Sequence, residues 1–479
     1  MDWKQLCAVQ LIWLMVGCGG DGAPAANDDD TGLGTSGAPD AASPDGGGDA
    51  ASSACALPAA PDEEGLILIA AGAPLALFGP EEAPDFEGAF NHLATLGVDG
   101  FFPFFGRSEI DGVTDVSGHF EYFLPREFTA TPRHCDAINP YEAARGVLGI
   151  VFPAFLFVDA PGDAALDEAT FRDRYARLRD GCWGGDDRVI LAHESFDEIA
   201  LQRVVNAFFS TPGPRVENVA EAQRLLNELG DKPVLVVEGP AVEVIRDEPA
   251  IPDDRREELL GVFWDAVELS ATGADYYGFD VYPVPRQPLT LLGDYTREAN
   301  ARAPMTQRLA VLQGFSREAE SNGSVDERGP TLDEQRYMAL DSIVAGATLL
   351  IWYGGSYLEI ESQADHAEVW AEVEAVIDEL RGLSPYLTGT RTPLEVQGDA
   401  EAVAFHNGDD AWTVVVVHRS PDDERVVVTA PEGVEYALEV RSEAALTVEG
   451  GALSLDMQGF EAVVLRGLAC DPRAASDPP

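Results

Sequence analysis

The strongest constraint on the fold is an alternation of short β-rich runs with longer helical patterns, from residue 64 to about residue 386. Such an alternation is typical of α/β folds with a parallel sheet. The eight strand candidates are "LILIAA", "VDGFFPFF", "GIVFPAFLFV", "RVILAHESF", "KPVLVVEG", "ADYYGFDVY", "RLAVLQGF" and "ATLLIWYGG". Eight strand and helix units over about 320 residues predict a (β/α)8 TIM barrel. A doubly wound open sheet is the alternative, but no glycine-rich phosphate loop follows the first strand.

The chain changes character near residue 389. Short strands separated by turn clusters follow, and no helix pattern interrupts them: "EAVAFHNGDDAWTVVVVHRS", "ERVVVTA", "EYALEVRS" and "FEAVVLRG". This pattern predicts a small antiparallel β-sandwich. We therefore assign residues 61–388 to the barrel, 389–471 to the β-sandwich and 472–479 to a short tail.

The N-terminus has the pattern of a targeting segment. The apolar run "LCAVQLIWLMVG" has the length of a signal-peptide core and is too short to span a bilayer as a mature helix. The "LMVGCGG" that ends it resembles the lipobox of bacterial lipoproteins. That resemblance implies a signal peptide over residues 1–18, lipid on Cys18, and outer-membrane sorting because Gly19 follows. Residues 19–60 contain almost nothing to bury, which predicts a disordered tether.

Cysteine usage agrees with export. Four of the six cysteines remain after Cys7 and Cys18 are set aside, an even number in an oxidising compartment. Three connectivities are open to four cysteines. We favour Cys55 with Cys470, which would join the start of the folded part to its end, and Cys135 with Cys182. No two of them have CxxC spacing, so we expect no zinc site.

Net charge excludes one class of partner. Acidic residues outnumber basic ones 84 to 31, which gives a formal net charge of -53 at pH 7. This charge repels phosphate backbones and anionic lipid headgroups, so we expect no nucleic-acid partner and no membrane contact beyond the lipid anchor. The sequence contains no cofactor signature, and we expect a monomer.

The predicted strands end on acids, aromatics and an amide. In a TIM barrel, chemistry lies at the C-terminal ends of the strands. Asp197 and Glu198 follow the fourth strand. The other strand ends supply Glu238, Asp280, Tyr282, Gln313, Trp352 and Tyr353. Carboxylates act on glycosidic bonds and aromatic faces pack on sugar C–H groups, so the set predicts a carbohydrate site. His193 lies within the fourth strand, and we interpret it as a pocket-lining or core residue, since no partner at metal-ligand spacing accompanies it.

Several motifs resemble barrel proteins related to clan A glycoside hydrolases. "AHESFDEIA" resembles their "GYYLxDEP" signature, with Asp197 and Glu198 on the acidic pair and Ile199 in place of proline. "ADYYGFDVYPVP" is similar to their sixth-strand segment, and "RLAVLQGF" to their seventh strand. The segment "RGPTLDEQRYMALDSIVAGATLLIWYGGSY" is similar to their eighth-strand region, as is the appended β-sandwich. The resemblance covers about residues 64–470 and implies Glu198 as the acid.

One departure from that resemblance concerns the nucleophile. Retaining clan A enzymes carry a nucleophilic Glu at the end of strand seven, where this chain has Gln313. Asp280 or Glu238 could supply the second carboxylate, as nucleophile or as the base of an inverting reaction. Asp197 and Glu198 could instead support attack by a substrate acetamido group, as in β-hexosaminidases. Finally, the site could bind sugar without hydrolysing it.

Two functions therefore remain open from the sequence. The first is a surface-anchored glycoside hydrolase that cleaves O-glycosidic bonds by carboxylate acid/base chemistry. The second is a non-catalytic carbohydrate-binding or structural lipoprotein on a degenerate glycosidase barrel.

Overall fold

The computed structural model describes residues 65–71, 77–78, 85–102, 108–110, 113–115, 143–153, 165–181, 185–210, 216–304, 306–316, 328–354, 366–406 and 412–468. The signal peptide, the tether, the tail, Cys18 and the four cysteines of the predicted disulfides (Cys55, Cys135, Cys182 and Cys470) lie outside these residues. Those predictions therefore stay predictions.

Eight parallel strands close into a barrel. They are β1 (Ile67–Ala71), β2 (Gly100–Phe102), β5 (Gly149–Pro153), β6 (Ile190–Asp197), β7 (Val234–Glu238), β8 (Tyr276–Asp280), β9 (Gln307–Gln313) and β10 (Ala347–Tyr353). Each strand pairs with its neighbour in the order β1-β10-β9-β8-β7-β6-β5-β2. Six of them fall within the predicted runs, and β6 and β9 each extend one residue beyond theirs, to Asp197 and Gln307. The predicted barrel is confirmed. A short hairpin of β3 (Ser108–Ile110) and β4 (Val113–Asp115), which the sequence pattern did not indicate, lies between β2 and β5.

The described helices are α1 (Phe86–Leu96), α2 (Glu168–Gly181), α3 (Ile199–Phe209), α4 (Val216–Leu229), α5 (Val242–Asp247), α6 (Asp253–Ala271), α7 (Leu291–Arg302), α8 (Leu332–Ala345) and α9 (His366–Leu383). None of the helices in the described part of the chain is both long and apolar enough to cross a membrane. The predicted capping box begins α8, where Thr331 Oγ1 and the Glu334 carboxylate each accept from the other's backbone N–H.

The barrel strands separate two apolar cores. Residues on one face of seven of the eight strands fill the interior of the barrel: Ile69, Ala71, Phe102, Val151, Ala192, Leu235, Val237, Leu309, Val311, Leu349 and Ile351. Tyr276 of β8 packs against them. Residues on the other face pack against the surrounding helices. Because successive side chains of a strand point to opposite faces, these two sets decide which strand-end residues face the mouth of the barrel.

Two antiparallel sheets follow the barrel. Their strands are β11 (Thr390–Pro393), β12 (Val396–Gln397), β13 (Ala400–His406), β14 (Trp412–His418), β15 (Glu424–Thr429), β16 (Tyr436–Glu439), β17 (Ala445–Thr447), β18 (Ala452–Met457) and β19 (Ala462–Leu468). The six-stranded sheet has the order β11-β13-β14-β19-β16-β17 and the three-stranded sheet the order β12-β15-β18. Residues of both sheets share one buried cluster, as in the predicted sandwich.

The six-stranded sheet also contacts the barrel. Its other face joins the outer core of the barrel through Val403, Phe405, Val415 and other residues. A polar network crosses this junction, because Glu401 of β13 accepts from Arg297 of α7 at 2.8 Å. Arg297 also donates to the buried Asp341 of α8 at 2.5 Å.

Candidate functional site

The acidic pair lies where β6 passes into α3. Asp197 is the last residue of β6, and its backbone pairs with Val237 of β7. The side chain of Asp197 lies outside the described part of the structure. Glu198 is half-buried and adopts φ 52° and ψ 35°, a left-handed conformation that is uncommon for residues other than glycine. Its N–H donates to Val237 O at 2.9 Å. Such backbone strain tends to occur at functional sites.

The Glu198 side chain does not cap its own helix. Its carboxyl lies over Gly239, the residue after β7, where a Cβ would come within 2.7 Å of Glu198 Oε1. Glycine at this position therefore leaves the space that the carboxyl of Glu198 occupies.

Asp280 ends β8, the strand that pairs with β7. Tyr277 and Phe279 pack in the outer core, so the alternation turns Asp280 toward the interior at the end of its strand. Phe279 pairs with Glu238, which puts Asp280 beside Gly239 in the register. The structure thus brings Glu198 and Asp280, two of the predicted site residues, to either side of Gly239.

Three aromatic rings line the neighbouring part of the mouth, and we call Tyr282, Phe315 and Tyr353 the aromatic wall. Tyr282 stacks on Tyr353, with ring centroids 5.6 Å apart and planes at 26°. Phe315 stands edge-on to both, at 5.0 Å from Tyr282 and 5.9 Å from Tyr353. Both tyrosines are half-buried, so part of each residue is open to solvent. Phe315 follows β9 and was absent from the sequence-based set.

Gln313 ends β9 and is completely buried. Its Oε1 accepts from Val284 N at 3.0 Å, and its Nε2 donates to Val284 O and Phe315 O, each at 3.0 Å. Its backbone carbonyl accepts from Gln335 Nε2 at 2.5 Å. Both amide N–H groups and the amide oxygen are therefore engaged with backbone atoms.

Glu238 requires a correction. It is fully buried, and its carboxylate accepts from Ala200 N at 2.8 Å and from Ser270 Oγ at 3.2 Å. These partners belong to α3 and α6, so Glu238 points out of the barrel and caps the N-terminus of α3 from outside. Val237, its neighbour in β7, is the residue that faces the interior. Glu238 does not line the mouth.

Trp352 is misplaced by the sequence analysis for the same reason. It is fully buried in the core between the strands and the helices. Ile351 and Tyr353, on either side of it, belong to the interior. Trp352 therefore packs the barrel from outside, and a substrate in the mouth does not reach it.

His193 also faces away from the mouth. It is fully buried, with ring contacts to Phe152 and Tyr175, and its Nε2 lies 3.3 Å from Tyr175 Oη. Burial, with a smaller contribution from the positive charge of Lys232, lowers the pKa of His193 to about 4. His193 is therefore a core residue, as one of the two sequence-based interpretations expected, and a substrate-binding role is not supported.

The structure adds a carboxyl that sequence reasoning missed. Glu194 is 1% exposed, and its backbone pairs with Leu235, an interior residue. If Asp197 faced the interior and the side chains of β6 alternated strictly, Ser195 would face the interior as well. The register shifts between Glu194 and Phe196, however, which turns Ser195 outward, where Gln223 of α4 contacts it, and Glu194 inward. A bulge of this kind leaves no clear signal in the sequence.

No group of three or more His, Cys, Asp or Glu side chains within the described ranges is arranged to hold a metal ion.

Comparison with known proteins identifies the fold. The structure is similar to that of a GH27 β-L-arabinopyranosidase from Geobacillus stearothermophilus in complex with arabinose. It aligns with a TM-score of 0.52 at 11% identity, over 85% of this chain and 98% of that one. Another structure of a GH27 β-L-arabinopyranosidase from that organism gives 0.51 at 12% identity, over 84% and 96%. No protein-family model and no curated protein matches the sequence. The chain thus has the fold of glycoside hydrolases that join a closed parallel barrel to C-terminal antiparallel sheets.

Proposed function

We propose that this protein is a glycoside hydrolase whose site lies at the C-terminal mouth of the barrel. The observation that carries the proposal is the position of Glu198 over Gly239 and of Asp280 at the end of the next strand, near the aromatic wall. Two carboxyl groups that flank a glycosidic bond are the minimal equipment for its hydrolysis. The exposed parts of Tyr282 and Tyr353 would pack on the apolar face of a sugar ring.

Glu198 acts as the general acid in this proposal. Its proton passes to the glycosidic oxygen as the bond between that oxygen and the anomeric carbon breaks, and the leaving group departs as an alcohol. Asp280 is the second carboxylate, because Glu238 is turned away and Gln313 has no free nucleophilic atom. As a nucleophile Asp280 would give a product of retained configuration, and as a base acting on water it would give inversion.

A binding function without hydrolysis is the second candidate. The observation that favours it is the fully engaged amide of Gln313 at the strand-seven position from which the clan A resemblance expects a nucleophile. In that case the aromatic wall would still bind sugar, but no glycosidic bond would break.

The first experiment is a screen of the purified protein against aryl glycosides and polysaccharides, including an aryl β-L-arabinopyranoside. Once a substrate is found, Asp280→Asn is assayed with azide. A glycosyl azide of inverted configuration identifies Asp280 as the nucleophile. The matched control is Asp265→Asn, because Asp265 is an exposed aspartate of α6. Sugar binding without turnover of any substrate supports the second candidate. Neither binding nor turnover contradicts both.

We further propose that the protein acts as an exported, outer-membrane lipoprotein and monomer, anchored through Cys18 and held off the membrane by residues 19–60. The lipobox-like "LMVGCGG" and the composition of the tether support this. Replacing Cys18 with Ala should move the protein from the membrane fraction to the soluble fraction. Retention in the membrane would contradict lipidation.

A further inference from the structure

Gln313 joins the two backbone segments that carry the aromatic wall. Its amide group forms hydrogen bonds with both the N–H and the C=O of Val284, which lies two residues after Tyr282. The same amide nitrogen also bonds the carbonyl of Phe315, two residues after Gln313 itself. One side chain therefore holds the segment after β8 against the segment after β9.

A carboxylate in this position would break the arrangement. The two carbonyl oxygens that face Nε2 need donors, and Gln313 supplies one N–H to each. An ionised Glu has no donor, so it would face two acceptors in a buried space, where leaving such groups unpaired is costly. The surroundings of Gln313 thus fit an amide and reject the acid that a strand-seven nucleophile requires.

We propose that Gln313 is a positioning residue for sugar binding, which sets the spacing of Tyr282 and Phe315 against Tyr353. This inference rests on the proposed function, since it assigns the aromatic wall to the substrate. It replaces the view of Gln313 as a vestige of a lost nucleophile. Catalysis then depends on Glu198 and Asp280, and strand seven contributes to binding.

The test is Gln313→Glu, for which the two views predict opposite results. If Gln313 is a positioning residue, KM should rise about tenfold or more while kcat changes little, because binding is lost rather than chemistry. If the position has merely lost its nucleophile, restoring Glu should raise kcat. Gln307→Glu is the matched control, because Gln307 begins the same strand and is exposed. It should leave both constants unchanged.

A second readout needs no substrate. The stacked pair of Tyr282 and Tyr353 should give a near-ultraviolet circular dichroism signal that Gln313→Glu weakens and Gln307→Glu leaves intact. If Gln313→Glu fails to fold, Phe315→Leu tests the wall directly, since it removes one ring and leaves the backbone carbonyl in place. It should raise KM in the same way.

The outcomes separate this inference from the proposed function. An unchanged KM and an unchanged tyrosine signal in folded Gln313→Glu would overturn the positioning role even if the wild type is an active hydrolase. A wild type that neither binds nor cleaves any sugar overturns the proposed function. In that case a weakened tyrosine signal would still show that Gln313 holds the wall, but the assignment of the wall to substrate would be wrong.

Discussion

The inner and outer sides of the barrel carry the same kinds of residue at its C-terminal end, in opposite environments. Glu198 lies half-buried at the mouth, whereas Glu238 is sealed between β7 and the helices with both oxygens bonded. Tyr353 is partly open beside Tyr282, whereas its neighbour Trp352 is fully buried outside the barrel. Residue type and position in the sequence do not separate the members of each pair. For Trp352 and Tyr353 the pleat of β10 does, because adjacent side chains point to opposite faces. Glu198 and Glu238 differ because Glu198 lies beyond the end of β6, in a left-handed conformation over Gly239, whereas Glu238 lies within β7 and points outward.

Replacing Glu198 with Gln should have the largest effect. The amide keeps the shape of the side chain but has no proton to transfer, so kcat on substrates with poor leaving groups should fall by about 10² to 10⁴-fold. Substrate binding and melting temperature should stay close to wild type. Glu257→Gln, an exposed position of α6, is the control for a remote loss of charge. If Glu198→Gln keeps full activity, the acid has been assigned to the wrong residue.

Trp352→Ala should act on folding. Removing a fully buried indole leaves a cavity, and we expect the free energy of unfolding to fall by about 3–5 kcal/mol in denaturant titrations. Tyr353→Ala should lower stability less than Trp352→Ala does, because Tyr353 is partly exposed at the mouth. It should weaken the binding of sugar more. Equal losses of stability in the two variants would contradict the assignment of Trp352 and Tyr353 to opposite faces of β10.

His193 should make the free energy of unfolding sensitive to acid. Its pKa is about 4 in the folded protein because of burial, against about 6.5 in an unfolded chain. The unfolded state therefore takes up more protons as pH falls from about 6.5 to about 4, and stability declines over that window by up to about 3 kcal/mol. His193→Phe should flatten this part of the profile of unfolding free energy against pH. An unaltered profile would mean that His193 does not titrate as its burial implies.

Glu238→Gln should have the smallest effect. In contrast to Glu198→Gln, it should lower stability and leave kcat unchanged. The change weakens the charge-assisted bonds to Ala200 N and Ser270 Oγ, which should cost about 1–3 kcal/mol of unfolding free energy. The folded fraction should keep its kcat. A fall in kcat without a change in stability would instead place Glu238 in the reaction.

The sequence by itself determined the fold of this protein. The alternation of strand and helix patterns predicted the eight barrel strands in order, since burial on both faces leaves a strong apolar signal in each run. The change in pattern near residue 389 likewise predicted the antiparallel sheets. Strand ends are also visible in the sequence, which is why Asp280, Tyr282 and Tyr353 were expected at the mouth.

Only the tertiary structure decided which strand-end residues face inward. A strand buried on both faces has apolar residues on each, so its pattern carries no mark of the side that is inside. Glu238 and Trp352 were misplaced for this reason. In β6 the register shifts after Glu194, and Glu194 pairs with the interior residue Leu235, so a carboxyl that was not among the predicted site residues enters the barrel. The two bonds of Gln313 to Val284 were equally hidden, because they join segments 29 residues apart that meet only once the barrel has closed.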